Sequence, residues 1–175
     1  MNKPNFLRNI GVVDSKKYID FIKKYVIFSV NNNYDREKVF TNCKNYFLIE
    51  KGRVNNQETL EHFFEISEDI KKICTSTYGS GMIESIQFSL IPPRSKIKKH
   101  FDQGLSFSLS HRIHLPIITN DDVNFYIGGK LFNLKINQLV EFNNKKDHYV
   151  ENNSDSDRIH LIIDFIPSQF FDYLT

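Results

Sequence analysis

Apolar positions along the chain follow two rhythms, and the change falls near residue 80. Ahead of it the spacing is helical. Tyr18, Ile19, Ile22 and Val26 recur every three or four residues after Asp14 and Ser15, either of which can cap the segment. Residues 59–77 read as one longer helix, with Leu60, Phe63, Phe64, Ile70, Ile73 and Cys74 on one face. Glu58, Glu61 and Glu65 lie early in it and Lys71 and Lys72 late, as the helix macrodipole prefers, and Gly79 and Gly81 end it. Between the helices, residues 46–50 are β-branched and aromatic enough to form a strand.

Beyond residue 80 the apolar runs shorten and turn residues separate them. Strands are predicted at residues 83–90, 111–118, 123–127, 130–134, 139–142 and 158–165. Gly128-Gly129 joins two of them as a two-residue hairpin, because both positions of such a turn need positive φ. The pattern predicts a mainly β domain, a sandwich or barrel, with supporting N-terminal helices. No linker, repeat or low-complexity stretch divides the chain, so one domain is expected over residues 1–175, with 1–80 as helical support and 81–166 as the β core.

Composition removes several function classes. The 23 basic and 21 acidic residues leave a net charge of +2, too little to hold nucleic acid through an overall field. The basic cluster Arg94, Lys96, Lys98 and Lys99 is local and reads as a solvated face. Two cysteines, Cys43 and Cys74, make no disulfide framework or metal spacing, which suits a reducing compartment. The first residues lack an apolar signal region, and the early apolar run at 25–30 is too short for a membrane span. The expected setting is the cytoplasm, with no membrane partner. The chain has no alanine, so its helices depend on packing rather than on their best intrinsic former.

Six histidines are the composition feature with chemical content. His100-Phe101-Asp102 places an imidazole and a carboxylate on the same side of an extended segment. With six His and 12 Asp in the chain, about 0.4 such triplets arise by chance, so the motif needs context. His148 supplies it: if the strands close into a small barrel, the two segments can meet at its mouth. Two histidines and one carboxylate on one face, with positions left open, form the facial triad of non-haem Fe(II) oxygenases. Arg158, ten residues after His148, opens an otherwise apolar strand. A charge there is costly unless paired, and a dicarboxylate would pair it through the planar guanidinium. Arg112 and His114 alternate on one face of another strand.

Taken in order, Ser89-Leu90-Ile91-Pro92-Pro93, His100-Phe101-Asp102, Arg112-Ile113-His114-Leu115-Pro116, Ile127-Gly128-Gly129, Glu141-Phe142, His148 to Asn152 and Arg158 to Asp164 resemble the aspartyl/asparaginyl β-hydroxylase family. The resemblance covers residues 89–164, including the ten-residue step from His148 to Arg158. It implies a double-stranded β-helix, or jelly roll, of the cupin-like kind, and a dioxygenase using Fe(II), 2-oxoglutarate and O2. By matching positions, His100, Asp102 and His148 would be the iron ligands and the catalytic centre. Arg158 and Ser89 would hold the distal carboxylate of 2-oxoglutarate, with Arg112 and His114 near its iron-side carboxylate. Some family members lack the acidic ligand; this chain keeps it as Asp102.

The implied activity is hydroxylation of an amino-acid side chain, aspartyl/asparaginyl or prolyl, in a free amino acid or in a peptide or protein. The alternative is a non-catalytic jelly roll that binds a metal or small ligand, which would have no need of both the intact triad and Arg158. Of the remaining histidines, His160 shares a face with Arg158 and could meet the cosubstrate, whereas His62 and His111 read as structural.

Overall fold

The computed structural model describes residues 2–30, 39–40 and 42–174. Numbered in chain order, the strands form two antiparallel sheets. The larger runs β1 (Leu7–Val12), β10 (Gln138–Phe142), β7 (His111–Ile118), β12 (Arg158–Pro167), β5 (Gly81–Ile91), β3 (Lys44–Glu50), β2 (Ser29–Val30), with β4 (Arg53–Val54) on β3. The smaller runs β6 (Ser95–His100), β11 (His148–Asn152), β8 (Val123–Ile127), β9 (Lys130–Phe132). From β5 onward the chain passes back and forth between the sheets, which is the jelly roll expected from the family resemblance.

Strand alternation divides the side chains between two cores. On β12, Leu161, Ile163 and Phe165 join Ile113, Leu115 and Ile117 of β7 against the helices. The other faces of the large sheet look toward the smaller sheet, where Ile91, Val140 and Phe142 meet Ile97, Phe125, Ile127 and Val150. Each buried Ile, Leu or Phe contributes roughly 1.5–3 kcal/mol relative to exposure. That second interior also carries the charged residues of β12.

The helices lie on the outer face of the large sheet. α1 (Lys16–Tyr25) follows Ser15, but the Ser15 hydroxyl does not cap it; it donates to Asn137 Oδ1 at 2.8 Å and ties the helix start to the β-core. The single helix predicted over 59–77 is two, α2 (Gln57–Ile66) and α3 (Glu68–Tyr78). The break is at Ser67, whose hydroxyl donates to the Phe63 carbonyl at 2.6 Å, so a side chain replaces the continuing backbone ladder. Apolar spacing survives the bend, which is why periodicity alone reads through it. Gly79, at φ +82, ends α3 as expected.

Gly128 and Gly129 take φ of +56 and +78 and close the β8–β9 hairpin. β9 stops at Phe132 rather than continuing to 134, because the Asn133 side chain donates to the Asp121 and Val123 carbonyls. The first eighty residues supply more than helices, since β1 and β3 are integral to the large sheet. Sequence reasoning missed three strands of consequence. β1 is half-buried, β6 buries only Ile97, and β11 alternates His148, Val150 and Asn152 inward, a polar pattern that does not read as a strand.

Candidate active site

β6 and β11 pair antiparallel, and their register sets His148 opposite His100. The two rings lie 4.3 Å apart between centroids. Asp102 follows β6 by two residues, its backbone N–H donating to the Asn144 carbonyl at 3.0 Å. One ligand atom from each of His100, Asp102 and His148 lies within 4.8 Å of the others. The loop just beyond β10 therefore holds the carboxylate beside the two imidazoles.

Both histidines are oriented by the backbone two residues earlier. His100 Nδ1 lies 2.8 Å from the Lys98 carbonyl, and His148 Nδ1 lies 2.9 Å from the Lys146 carbonyl. A carbonyl only accepts, so Nδ1 carries the hydrogen in each and Nε2 keeps its lone pair for a metal. Burial lowers the His148 pKa to about 4 despite the Asp102 carboxylate, so this imidazole is neutral near pH 7. Burial alone would raise the Asp102 pKa, but Arg112, His148 and His100 outweigh it and hold the carboxyl below its usual range. Two imidazoles that each turn Nε2 away from a backbone carbonyl contact, and one ionised carboxylate, are the donors a divalent first-row metal takes, and the set fits iron(II).

The triad opens on a cavity of about 550 Å³ whose lining also includes Arg158, Ser89 and His114. Arg158 is 1% exposed. Asn152 delivers it: the amide donates to the Ile91, Pro92 and Ser156 carbonyls and folds the turn ahead of β12. Among the described residues no carboxylate pairs with Arg158, and its Nε has no hydrogen-bond partner. Burial without an anion alongside pushes the guanidinium well below its ordinary pKa. Ser89, opposite His160 in the β5–β12 ladder, is on the same wall.

His160 lies between Arg158 and His114. Arg158 Nη2 donates to His160 Nδ1 at 2.6 Å, and His114 Nδ1 is 3.4 Å from the same nitrogen. Burial, then the Arg158 charge, drives both histidines far below their ordinary pKa, so both are neutral. The Nε2 atoms of His114 and His160 have no hydrogen-bond partner among the described residues. A buried cation with an orphaned donor, beside two neutral imidazoles, fits a ligand carboxylate such as the distal group of 2-oxoglutarate.

Arg112, expected near the iron-side carboxylate of the cosubstrate, lines the same cavity and meets two carboxylates of the chain itself. Its Nη1 donates to Asp102 Oδ2 at 2.8 Å, and its Nε and Nη2 donate to the two oxygens of Asp164 at 2.8 and 2.7 Å. Sequence reasoning assigned nothing to Asp164. Its signal was the strand alternation Arg158, His160, Ile162, Asp164, but only the register shows that it faces Arg112. Lys145, also unassigned, donates to the Asp102 carbonyl at 3.2 Å and to Ser108 Oγ at 3.1 Å.

The other histidines are structural. His111 Nδ1 lies 2.6 Å from Glu141 Oε1, and its ring stacks on Tyr78 at 3.8 Å. His62 stacks on Tyr25 at the surface. In the basic run, Arg94 pairs with Asp155 and Lys99 with Asp147, while Lys96 and Lys98 are exposed. No helix among the described residues is long and apolar enough to cross a membrane.

The fold defines the class first, a jelly roll that carries a donor set of two histidines and one aspartate. The particular family follows from the sequence: the model of the aspartyl/asparaginyl β-hydroxylases matches residues 22–167, and the chain belongs to that family. Solved structures share its fold at low identity. A 2OG-Fe(II) oxygenase family oxidoreductase from Burkholderia pseudomallei aligns over 86% of this chain and 77% of its own, with TM-score 0.67 and 13% identity. A prolyl-4-hydroxylase from Pseudomonas putida aligns over 92% and 91%, with TM-score 0.62 and 12% identity. A prolyl hydroxylase from Trichoplax adhaerens, in complex with a hypoxia inducible factor oxygen degradation domain peptide fragment, aligns over 97% and 86%, with TM-score 0.62 and 12% identity. Among curated proteins none matches.

Proposed function

We propose that the chain is an Fe(II)- and 2-oxoglutarate-dependent dioxygenase, acting as one domain, that hydroxylates an amino-acid side chain of the aspartyl/asparaginyl or prolyl type. The observation that carries the reading is Arg158, a buried cation with no carboxylate partner among the described residues, in the same cavity as the His100, Asp102 and His148 donors. A jelly roll that bound only a metal would gain nothing from that charge and would bear its desolvation cost.

The residues divide the work. His100, Asp102 and His148 would hold the metal, as a donor set that does not fill its coordination sphere. Arg158 and Ser89 receive the distal carboxylate of 2-oxoglutarate, with His114 close to the metal end. His160 accepts from Arg158 and orients the guanidinium fork. Phe125 and Phe142 pack against His114 and His148 and keep the deep end of the cavity dry. When bound, the metal couples oxidation of 2-oxoglutarate by O2 to succinate and CO2 with conversion of a substrate C–H to C–OH.

The substrate is an amino acid or a peptide. Family membership and the likeness to a prolyl hydroxylase captured with a peptide support this class. The buried thiols Cys43 and Cys74, with no disulfide between them, support a cytoplasmic setting. The test is turnover: iron-loaded protein supplied with 2-oxoglutarate and O2 should release succinate, faster with the correct substrate. Absence of both succinate formation and 2-oxoglutarate binding overturns the reading.

A further inference from the structure

Asp164 and Arg112 are directly opposed in the β12–β7 ladder. The register lets Asp164 grip the guanidinium through both oxygens, at 2.8 and 2.7 Å. The Phe107 ring covers the guanidinium carbon at 4.6 Å. With one edge held by Asp164 and one face covered, Nη1 points to Asp102 Oδ2. Asp164 is 2% exposed and has no other polar partner among the described residues.

Two consequences follow from charge and valence. Asp102 Oδ2 already accepts a charge-assisted hydrogen bond from Arg112, which ties that oxygen to the guanidinium and leaves Oδ1 the more available to a metal. A guanidinium this close to a divalent cation would oppose its binding, and buried charges are poorly screened. Asp164 cancels that charge. We infer that Asp164 and Arg112 form a charge-neutral clamp that makes Asp102 a one-oxygen ligand. Arg112 is thereby a positioning residue for the metal site, and Asp164 is the residue that allows a cation to sit there. The inference rests on the metal site proposed above.

The test is cobalt(II) binding without 2-oxoglutarate, followed by calorimetry and ligand-field absorption. Wild-type binding reports on the metal site itself; comparison among variants reports on the clamp. Asp164→Asn leaves the guanidinium uncompensated and should weaken cobalt binding by about tenfold or more, the range in which outer partners of metal ligands act. Arg112→Gln with Asp164→Asn removes the charge imbalance and should recover most of that affinity. Its ligand-field spectrum should still differ from wild type, because Asp102 Oδ2 is released and free to chelate. Wild-type affinity in Asp164→Asn, a double variant as weak as Asp164→Asn, or a double-variant spectrum superposing on wild type overturns the clamp. Should Asp164→Asn fail to fold, as judged by circular dichroism, the spectrum of the double variant decides alone.

Discussion

His148 and His100 face each other across the β11–β6 ladder, so the register of two short strands brings together imidazoles 48 residues apart in the chain. Neither side chain is needed for that pairing, which the backbone makes. His148→Ala should therefore keep the fold and lose metal affinity by more than the roughly 10–100-fold that follows loss of an outer partner. Calorimetric titration with iron(II) or cobalt(II), beside a circular dichroism spectrum, checks both halves. Wild-type metal affinity in this variant would show the triad to be misplaced.

Arg158 separates cosubstrate binding from fold stability. Arg158→Ala should raise the apparent KM for 2-oxoglutarate far more than it harms metal affinity. Arg158→Met, which fills similar space without charge, should abolish 2-oxoglutarate binding and leave the ligand-free protein as stable or more stable. Replacing buried charge by apolar volume is often worth about 1–4 kcal/mol in that direction. Thermal melts with and without 2-oxoglutarate on the cobalt form measure the two effects together.

His160 acts on the same subsite without charge. Because it accepts from Arg158, His160→Leu should remove the guanidinium's orienting partner. An expected loss of about tenfold in 2-oxoglutarate affinity corresponds to about 1.4 kcal/mol, within the range of a hydrogen bond to a charged group. Metal affinity, measured in parallel, should stay at the wild-type value.

Glu141 makes the acid limb of stability. It is fully buried and accepts from Arg8 at 2.6 Å and Tyr78 at 3.1 Å, with His111 also 2.6 Å away. Burial alone would raise its pKa, but the His111 hydrogen bond and charge and the Arg8 charge outweigh that and lower it. A carboxylate depressed in the folded state stabilises fully above its unfolded pKa of about 4.3, and that contribution is lost as pH falls through the folded value. Glu141→Gln should cost about 1–3 kcal/mol near neutral pH, the range of hydrogen bonds to a charged group, since Arg8 stays partly solvated, and should flatten the loss of stability below about pH 4.3. Urea melts between pH 3 and pH 7 give the comparison.

Much of the site was legible because it lies on strands whose alternation shows in the sequence. His100-Phe101-Asp102 and the Arg158, His160 face need only a period of two. Asp164 was legible as a position on that face and not as a partner, because its meaning depends on which residue of β7 stands across from it. The partners of Arg112 were hidden for the same reason. A sequence shows the charge but not the two carboxylates around it. The α2–α3 break stayed hidden because the Ser67 hydroxyl bond leaves the apolar spacing intact.

The sequence by itself determined the two rhythms, the Gly128-Gly129 hairpin, the absence of an overall charge field and the identity of the candidate metal donors. These rest on local chemistry: backbone period, positive φ and side-chain valence. Only the tertiary structure decided that Arg158 is buried with no anion alongside among the described residues, and that Arg112 meets both Asp102 and Asp164. Burial and charge pairing are properties of residues distant in the chain, set by strand register, and no local pattern encodes which carboxylate a guanidinium will meet.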